Sequence, residues 1–354
     1  MIDRRAIEAL DIMLQDINDC NLSFGGKVVV FRGDFRQVLP VVPRGRKEEI
    51  INTSLVMSYI WPLLIKIKLT ENMRARLDPT FSEFLLCIGD GKHEKNNDDY
   101  IRLPSNMIIP YEDDNISLQK LIKVVFSNIE DYPKNLHFMV NRAILTPKND
   151  YVDEINNLLM NLFPGDSIKY YSFDETLDNT EQSFQEDFLN TLTPNGIPPH
   201  ELILKRNCPI ILLRNLNASE GLCNGTQLIC RDFHSNVIDA EIASGYYSGN
   251  RVFLPRISFI PIENNKYPFP FKRTQFPIRP SFAMTINKAQ GQTLDFVGIY
   301  LPQPVFSHGQ LYVALSRAKK SDCVKILIKP TNFNKLCDGH TKNVVYKEIL
   351  SLTN

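Results

Sequence analysis

Four short segments of this sequence combine residue types that handle phosphate. Residues 33–40 (GDFRQVLP) place a carboxylate, a guanidinium and an amide side by side, as Asp34, Arg36 and Gln37, directly after the apolar run 27–31 (KVVVF). Such polar groups suit a sensor for the γ-phosphate of a nucleotide, and they suit an ordinary polar turn as well. Residues 69–74 (LTENMR) deliver Arg74 in the same way, and a guanidinium fork matches a transferring phosphoryl group. Two longer segments are more specific: 281–293 (SFAMTINKAQGQT), with Thr285, Lys288, Gln290 and Gly291, and 311–318 (LYVALSRA), with Arg317.

The elements that must hold these residues follow from hydrophobic periodicity. The run 27–31 reads as a buried parallel strand stopped by Gly33 and Asp34, and 65–69, alternating apolar residues with lysine, reads as a second strand. A helix is expected over 78–88 and a polar surface connection over 90–114. Residues 143–145 form the next strand, and Val152, Ile155, Leu158, Leu159 and Leu162 recur at helical spacing after it. Further buried strands are expected at 209–213, 297–301 and 324–328, with helices at 281–289 and 309–319. Strands alternating with helices predict an α/β fold built on a parallel sheet. Residues 225–280 differ, with three strand-like runs joined by Gly, Asn and Ser turns, and read as a small all-β insertion.

Taken together and in this order, GDFRQVLP, LTENMR, SFAMTINKAQGQT and LYVALSRA resemble the later motifs of superfamily-one DNA helicases of the Pif (petite integration frequency) type, in particular the plant Helitron-transposon-like branch. The segments AILTPKNDYVDEIN and GLCNGTQL are also similar to that family, so the resemblance covers nearly the whole chain. It implies tandem RecA-like P-loop NTPase domains: a remainder of the first over 1–136, the second over 137–354, and an SH3-like barrel within it at 225–280. It implies an ATP-dependent helicase that moves five-prime to three-prime on single-stranded DNA and opens duplex junctions, in repair, recombination and telomere maintenance, with ATP and Mg²⁺ as cofactors. Asp34 and Gln37 would then sense the γ-phosphate, and Arg74 and Arg317 would act as arginine fingers. Gln290 and Gly291 would couple nucleotide to DNA, and Thr285 and Lys288 would hold DNA phosphates. The same resemblance implies a monomer in the nucleus, with the mitochondrion as the other candidate compartment.

The sequence departs from that pattern where nucleotide is usually held. No Gly-x-x-x-x-Gly-Lys-Ser/Thr loop is written in it, since Gly26-Lys27 precedes Val28 and Gly91-Lys92 precedes His93. Asp153-Glu154 and Asp174-Glu175 do not end apolar strands, so the usual Mg²⁺ carboxylates are missing too. Because Met1-Ile2-Asp3-Arg4-Arg5 resembles the family segment that follows those carboxylates, the chain is expected to start inside the first domain and to be inactive alone. The alternative is a catalytically dead fragment that binds single-stranded DNA.

Composition narrows the remaining classes. Its 354 residues are 43% hydrophobic and 23% charged, which excludes a disordered or collagen-like chain. No apolar stretch is long enough for a membrane span, and no secretory signal opens the chain. Seven scattered cysteines (20, 87, 208, 223, 230, 323, 337) and dispersed histidines offer neither a disulfide framework nor metal-ligand spacing, so no metal site is expected. Basic and acidic residues balance at 40 each, yet 27–76 and 251–329 are basic and 90–187 is acidic. That pattern fits solvated faces or a polyanionic partner equally well.

Overall fold

The computed structural model describes every residue except 95–98, 128, 131–138, 178–185, 195, 262–269, 331–338 and 354. The expected domain boundary at 136 and Cys337 lie outside the described residues. The chain forms two compact units, and neither is continuous in sequence. The first comprises Met1–Asp114, Ala289–Thr293 and Leu301–Asn354, and the second Asn115–Lys288 and Leu294–Tyr300.

In the first unit the helix Arg4–Asn18 starts at Asp3, whose carboxylate accepts from the Arg5 amide. Its inner face joins Phe24, Leu55 and Ile60 through Ile7, with Val29, Phe31, Phe35 and Trp61 packed around them. Asp11 is buried on that helix and accepts from the Phe24 amide and the Tyr59 hydroxyl. The helix Pro79–Gly89 begins where expected, with Asp78 accepting from the Phe81 amide at 3.0 Å. The connection expected over 90–114 is partly core. Tyr100–Arg102 pairs antiparallel with His340–Lys342, and Ile101, Leu103 and Met107 are buried. Ile108–Ile109 pairs in parallel with the strand Val324–Ile328.

Two expected strands are not formed. Residues 27–31 and 65–69 are extended but carry no ladder partner among the described residues. The physical reason is visible in their exposure. Val29 and Phe31 rest on the helix core, while Val28 is 94% exposed on the other face, as is Val30 at 88%. Ile65, Ile67 and Leu69 are exposed in the same way. A β-branched run needs a neighbouring strand to pair with, and no described strand lies beside these.

In the second unit the strand Arg142–Thr146 has an almost continuous apolar run, AILT, buried throughout, as a central parallel strand requires. It pairs in parallel with Ala283–Thr285 on one side and with Phe296–Leu301 on the other. Here the expected helix over 281–289 gives way to a strand and a turn. Asn156, on the helix Asn149–Leu162, accepts from the Ala283 amide at 2.9 Å and donates to its carbonyl at 3.2 Å, fixing that backbone as extended.

The all-β region is larger than 225–280. An antiparallel sheet runs Arg251–Pro255, Val237–Ile242, Gln227–Phe233, Pro209–Leu212, Ile278–Pro280. Pro209–Leu212, expected in the parallel sheet, is therefore antiparallel to both its neighbours. Ile257–Phe259, Phe271–Gln275 and Phe173–Thr176 form a second sheet. Ser167–Tyr171 pairs with Glu201–Lys205. Burial alternates along Val237–Ile242 and Arg251–Pro255, the sign of a sheet with one wet face.

Arg273 is fully buried in this region. It makes a two-pronged pair with Asp174, Nη2 to Oδ2 at 2.6 Å and Nε to Oδ1 at 2.9 Å. Its other N–H groups donate to the carbonyls of Leu189, Leu192 and Pro198, so one guanidinium gathers three segments. Removing one partner strands the other charge in the interior, at a cost of about 3–5 kcal/mol. Asp174→Ala should therefore lower unfolding stability by that amount, and Asp174→Leu with Arg273→Met should lose less than either single change. Urea unfolding checks this, and a double variant as unstable as the sum of its singles would refute it.

Candidate nucleotide-facing site

The loop after residues 27–31 is held from several directions, all by residues of the first unit. Asp34 accepts from the Arg36 amide at 3.1 Å, from the Tyr312 hydroxyl at 3.1 Å and from Gln37 Nε2 at 3.4 Å. Gln37 Oε1 in turn accepts from Gln290 Nε2 at 3.0 Å. Arg36 lies 3.7 Å from Asp34 and donates to Asp90 at 2.6 Å, beside Lys92. Burial and the Asp34 charge together raise the Tyr312 hydroxyl, so it stays protonated and donates.

Gly309 and His308 press on the same loop from behind. Gly309 has φ 71°, and a Cβ there would stand 2.3 Å from the Arg36 carbonyl oxygen, so only glycine fits. His308 is 1% exposed, with Nε2 2.7 Å from the Phe35 carbonyl and Nδ1 2.7 Å from the Tyr346 amide. A backbone amide can only donate and a carbonyl only accept, so the ring is neutral with its proton on Nε2. Burial lowers its pKa, against the Phe35 carbonyl and Asp34, which raise it.

Two arginines come together next to this loop. The local turn that presents Arg74 is closed by Asn72, which accepts from the Ala75 amide, and by Asp78 at the start of the following helix. Arg74 donates to the Ser316 carbonyl at 2.6 Å and to the Thr293 hydroxyl at 3.0 Å. Arg317 is 2% exposed. It sits just past the short helix Gln310–Leu315, and donates to the carbonyls of Val313 at 2.8 Å and Gln292 at 3.0 Å and to the Ser316 hydroxyl at 2.7 Å. All these acceptors are neutral. Burial, and after it the neighbouring Arg74 charge, pull Arg317 down to about 10. Arg74 is also lowered by burial, with Tyr312 opposing and Arg32 adding. Burial lowers both guanidiniums, the Arg74 charge lowers Arg317 further, and both donate only to neutral acceptors, so both would gain from an anion between them.

Of the residues expected from sequence, Asp34, Gln37, Arg74, Gln290 and Arg317 thus lie in one network. Gly291 follows Gln290 in the same unit with φ 88° and nothing within 4 Å of a would-be Cβ. Thr285 and Lys288 belong to the second unit, where the Thr285 carbonyl accepts from the Lys288 amide at 3.0 Å. Desolvation and Arg279 lower the Lys288 ammonium, and Asp153 opposes them. Arg279 pairs with Asp153 at 3.2 Å, so this turn carries two cations against one carboxylate. Phe35 packs edge-on against Trp61 at 5.4 Å, which makes both structural. Sequence reasoning missed Tyr312, His308, Gly309 and Arg279. Tyr312 stood inside a quoted motif, and its hydroxyl five residues before Arg317 was the available signal.

Known proteins are similar to this chain along most of its length. Residues 1–99 match the model of the PIF1-like helicases, and residues 187–233 match that of the 2B domain of the DNA helicase Pif1. The ATP-dependent DNA helicase PIF1 of Danio rerio is 25% identical over 339 residues, covering 92% of this chain and 45% of that protein. The Campylobacter jejuni Pif1 helicase is 26% identical over 324 residues, covering 88% of this chain and 65% of its own. The chain thus spans less than half the length of the vertebrate relatives it matches. In fold it resembles the Pif1 helicase of Candida albicans, at a TM-score of 0.64 and 22% identity over 99% of this chain and 73% of that one. It also resembles a Bacteroides Pif1 bound to single-stranded DNA, at a TM-score of 0.63 and 20% identity over 92% of this chain and 68% of that one. Those structures have RecA-like domains, and the parallel α/β strands found here are the matching fold.

One titration follows from His308. Its pKa lies below the ordinary value of 6.5 in the folded chain, so its contribution to stability is complete above pH 6.5 and is lost as pH falls through the folded value. The unfolding midpoint should drop on acidification from about pH 7.5 to about 5.5, by up to about 1 kcal/mol per pH unit from this group. His308→Gln, which can still donate to Phe35 and accept from Tyr346, should flatten that part of the profile. An unchanged profile in the variant would show that His308 is not the group responsible.

The chain is similar to the PIF1-like helicases: their models match residues 1–99 and 187–233, and relatives align along 92% of its length.

Proposed function

We propose that this chain supplies the phosphate-sensing and DNA-gripping parts of an ATP-dependent five-prime to three-prime DNA helicase. The observation that carries this reading is the pair Arg74 and Arg317, two adjacent guanidiniums bonded only to neutral acceptors. They suit the terminal phosphate of a nucleotide, whose transfer to water would supply the free energy for movement. Arg74 and Arg317 neutralise charge as it builds on the transferring group. Asp34, steadied by Tyr312 and Gln37, is the carboxylate that would face Mg²⁺ or the attacking water. Gln290 joins Gln37 directly, and two to five residues earlier in the chain stand Lys288, Asn287 and Thr285. A change at the nucleotide therefore has a short covalent route to residues that would grip DNA phosphates.

Phosphate-cradling groups are not written in these 354 residues. We infer that they belong to a segment whose strands would pair with residues 27–31 and 65–69, and the exposed apolar faces of those runs support this. On this reading the chain alone hydrolyses no ATP. The Helitron-like assignment, the nuclear location, monomeric state and roles in repair, recombination and telomere maintenance rest on the motif resemblance. A second reading, a non-catalytic single-strand-binding fragment, is favoured by the missing phosphate loop, and predicts binding that ATP does not alter.

Single-strand-stimulated ATP hydrolysis, measured on this chain and on one extended by the family's phosphate-loop segment, separates the possibilities. Turnover is expected only in the extended chain. Arg74→Ala and Arg317→Ala should each lower it by roughly 10³-fold with little change in DNA affinity. Lys288→Ala should instead weaken DNA binding and flatten its salt dependence by about one unit of slope. Hydrolysis by the short chain that disappears in Arg317→Ala would refute the inferred missing segment. No turnover in either chain, with DNA binding intact, would favour the second reading.

A further inference from the structure

Two of the scattered cysteines come together in the second unit. Cys208 immediately precedes the strand Pro209–Leu212, and Cys230 lies on its antiparallel neighbour Gln227–Phe233. Pro209 faces Ile229 in that register, and one step further the Cys230 amide donates to the Cys208 carbonyl at 3.0 Å. The Asn207 amide donates to the Cys230 carbonyl at 2.7 Å, so two residues oppose one and the ladder ends in a bulge. Asn207 has φ 66°, the left-handed conformation that the first residue of such a bulge adopts. Cα atoms of opposed residues stand about 5.5 Å apart, inside the span of about 4.4–6.8 Å that a disulfide bridges.

Both side chains are fully buried and both thiols are free. They also meet, since burial raises the Cys230 thiol well above its ordinary range and the hydrogen bond with the Cys208 thiol raises it further. Inside the closed sheet Cys230 therefore stays protonated, whereas the reactive form of a cysteine is the thiolate. Solvent is nonetheless close. Arg206 is exposed, in a turn over 205–208 closed by the Cys208 amide on the Lys205 carbonyl at 3.1 Å. Arg231 fastens that turn to the sheet, its Nη1 donating to Asn207 Oδ1 at 2.8 Å. Local opening of the turn would expose Cys208 without unfolding the unit.

We propose that Cys208 and Cys230 form a redox-sensitive pair that closes to a disulfide under hydrogen peroxide and staples the ends of the segment between them. With the turn open, the Cys208 thiolate attacks one peroxide oxygen, the O–O bond breaks, and hydroxide leaves and takes up the thiol proton as water, giving a sulfenic acid. As the turn recloses, the Cys230 sulfur attacks the Cys208 sulfur, the S–S bond forms and the S–O bond breaks. The Cys230 proton leaves with that oxygen as a second water. Two thiols thus lose two hydrogens and two electrons, and the peroxide is reduced to two waters. The enclosed segment includes 221–228 (GLCNGTQL), whose unfolded freedom falls once its ends are tied. None of this depends on the helicase reading.

The test treats the full 354-residue chain with hydrogen peroxide, stops the reaction with catalase, caps remaining thiols in urea and maps peptides by mass spectrometry without reductant. Exposed Cys87 is oxidised under the same conditions and shows that the peroxide is active. The expected product is a linked pair of peptides containing Cys208 and Cys230, lighter by about 2 Da than the two thiol forms, restored by dithiothreitol and absent in Cys208→Ala. Asn207→Gly keeps the left-handed backbone but removes the bond to Arg231. Linkage should then be about fivefold faster, the effect of one hydrogen bond on an opening equilibrium, and equal rates would overturn entry through the turn. The linked chain should unfold about 5–10 °C above the reduced one. Oxidised Cys87 with Cys208 and Cys230 both still capped as thiols, in the wild-type chain and in Asn207→Gly alike, would overturn the proposal. So would a linked chain that unfolds no later than the reduced one.

Discussion

The first unit depends on the closeness of Gly309 to the backbone of residues 36–37. That contact leaves no room for a side chain, and around it the loop is tied at every accessible group: Asp34 to Tyr312, the Phe35 carbonyl to His308, Arg36 to Asp90 and Gln37 to Gln290. Each tie is a single hydrogen bond worth about 1 kcal/mol in net terms. Their value lies in geometry, because they converge on one short loop from three different stretches of chain. A carboxylate and an amide that are to act on a ligand need such fixing, since a displaced donor or acceptor gains nothing from its charge.

Charge is treated in opposite ways in the two units. In the second, Arg273 is buried with its carboxylate and three carbonyls, a closed arrangement that leaves the guanidinium nothing to bind. In the first, Arg317 is nearly as buried but donates its hydrogen bonds only to neutral oxygens, with Arg74 lowering its pKa and Tyr312 and Asp34 opposing that. The same residue type at nearly the same depth is a fastener in one place and an anion-seeking group in the other, and the difference is the identity of the acceptor.

Much of this was legible in the sequence where the signal is local. The strand 142–146 and the helices Asn149–Leu162 and Pro79–Gly89 were marked by continuous or periodic apolar residues, and Arg74, Arg317, Asp34 and Gln37 by short motifs. What failed was pairing. The run 27–31 has the composition of a strand but no strand partner among the described residues, and 209–212 has a strand's composition without revealing that its neighbours would be antiparallel. Residues 281–289 carry no clear period, and their backbone is set by Asn156, more than a hundred positions away. The roles of His308 and Gly309 were hidden for the same reason, since their partners lie some 270 residues earlier.

The threading of the chain has a consequence for its synthesis. Residues 115–288 hold nearly all of the second unit as one uninterrupted stretch, so that unit can begin to fold as soon as it leaves the ribosome. The first 114 residues must wait for residues 289–293 and 301–354, which carry Gln290, His308, Gly309, Tyr312 and Arg317. Until the last of these emerges, residues 1–114 lack the contacts that order the loop at 33–40. Residues 115–288 can therefore fold before that loop is fixed, and in the interval residues 1–114 stand in greatest need of a chaperone.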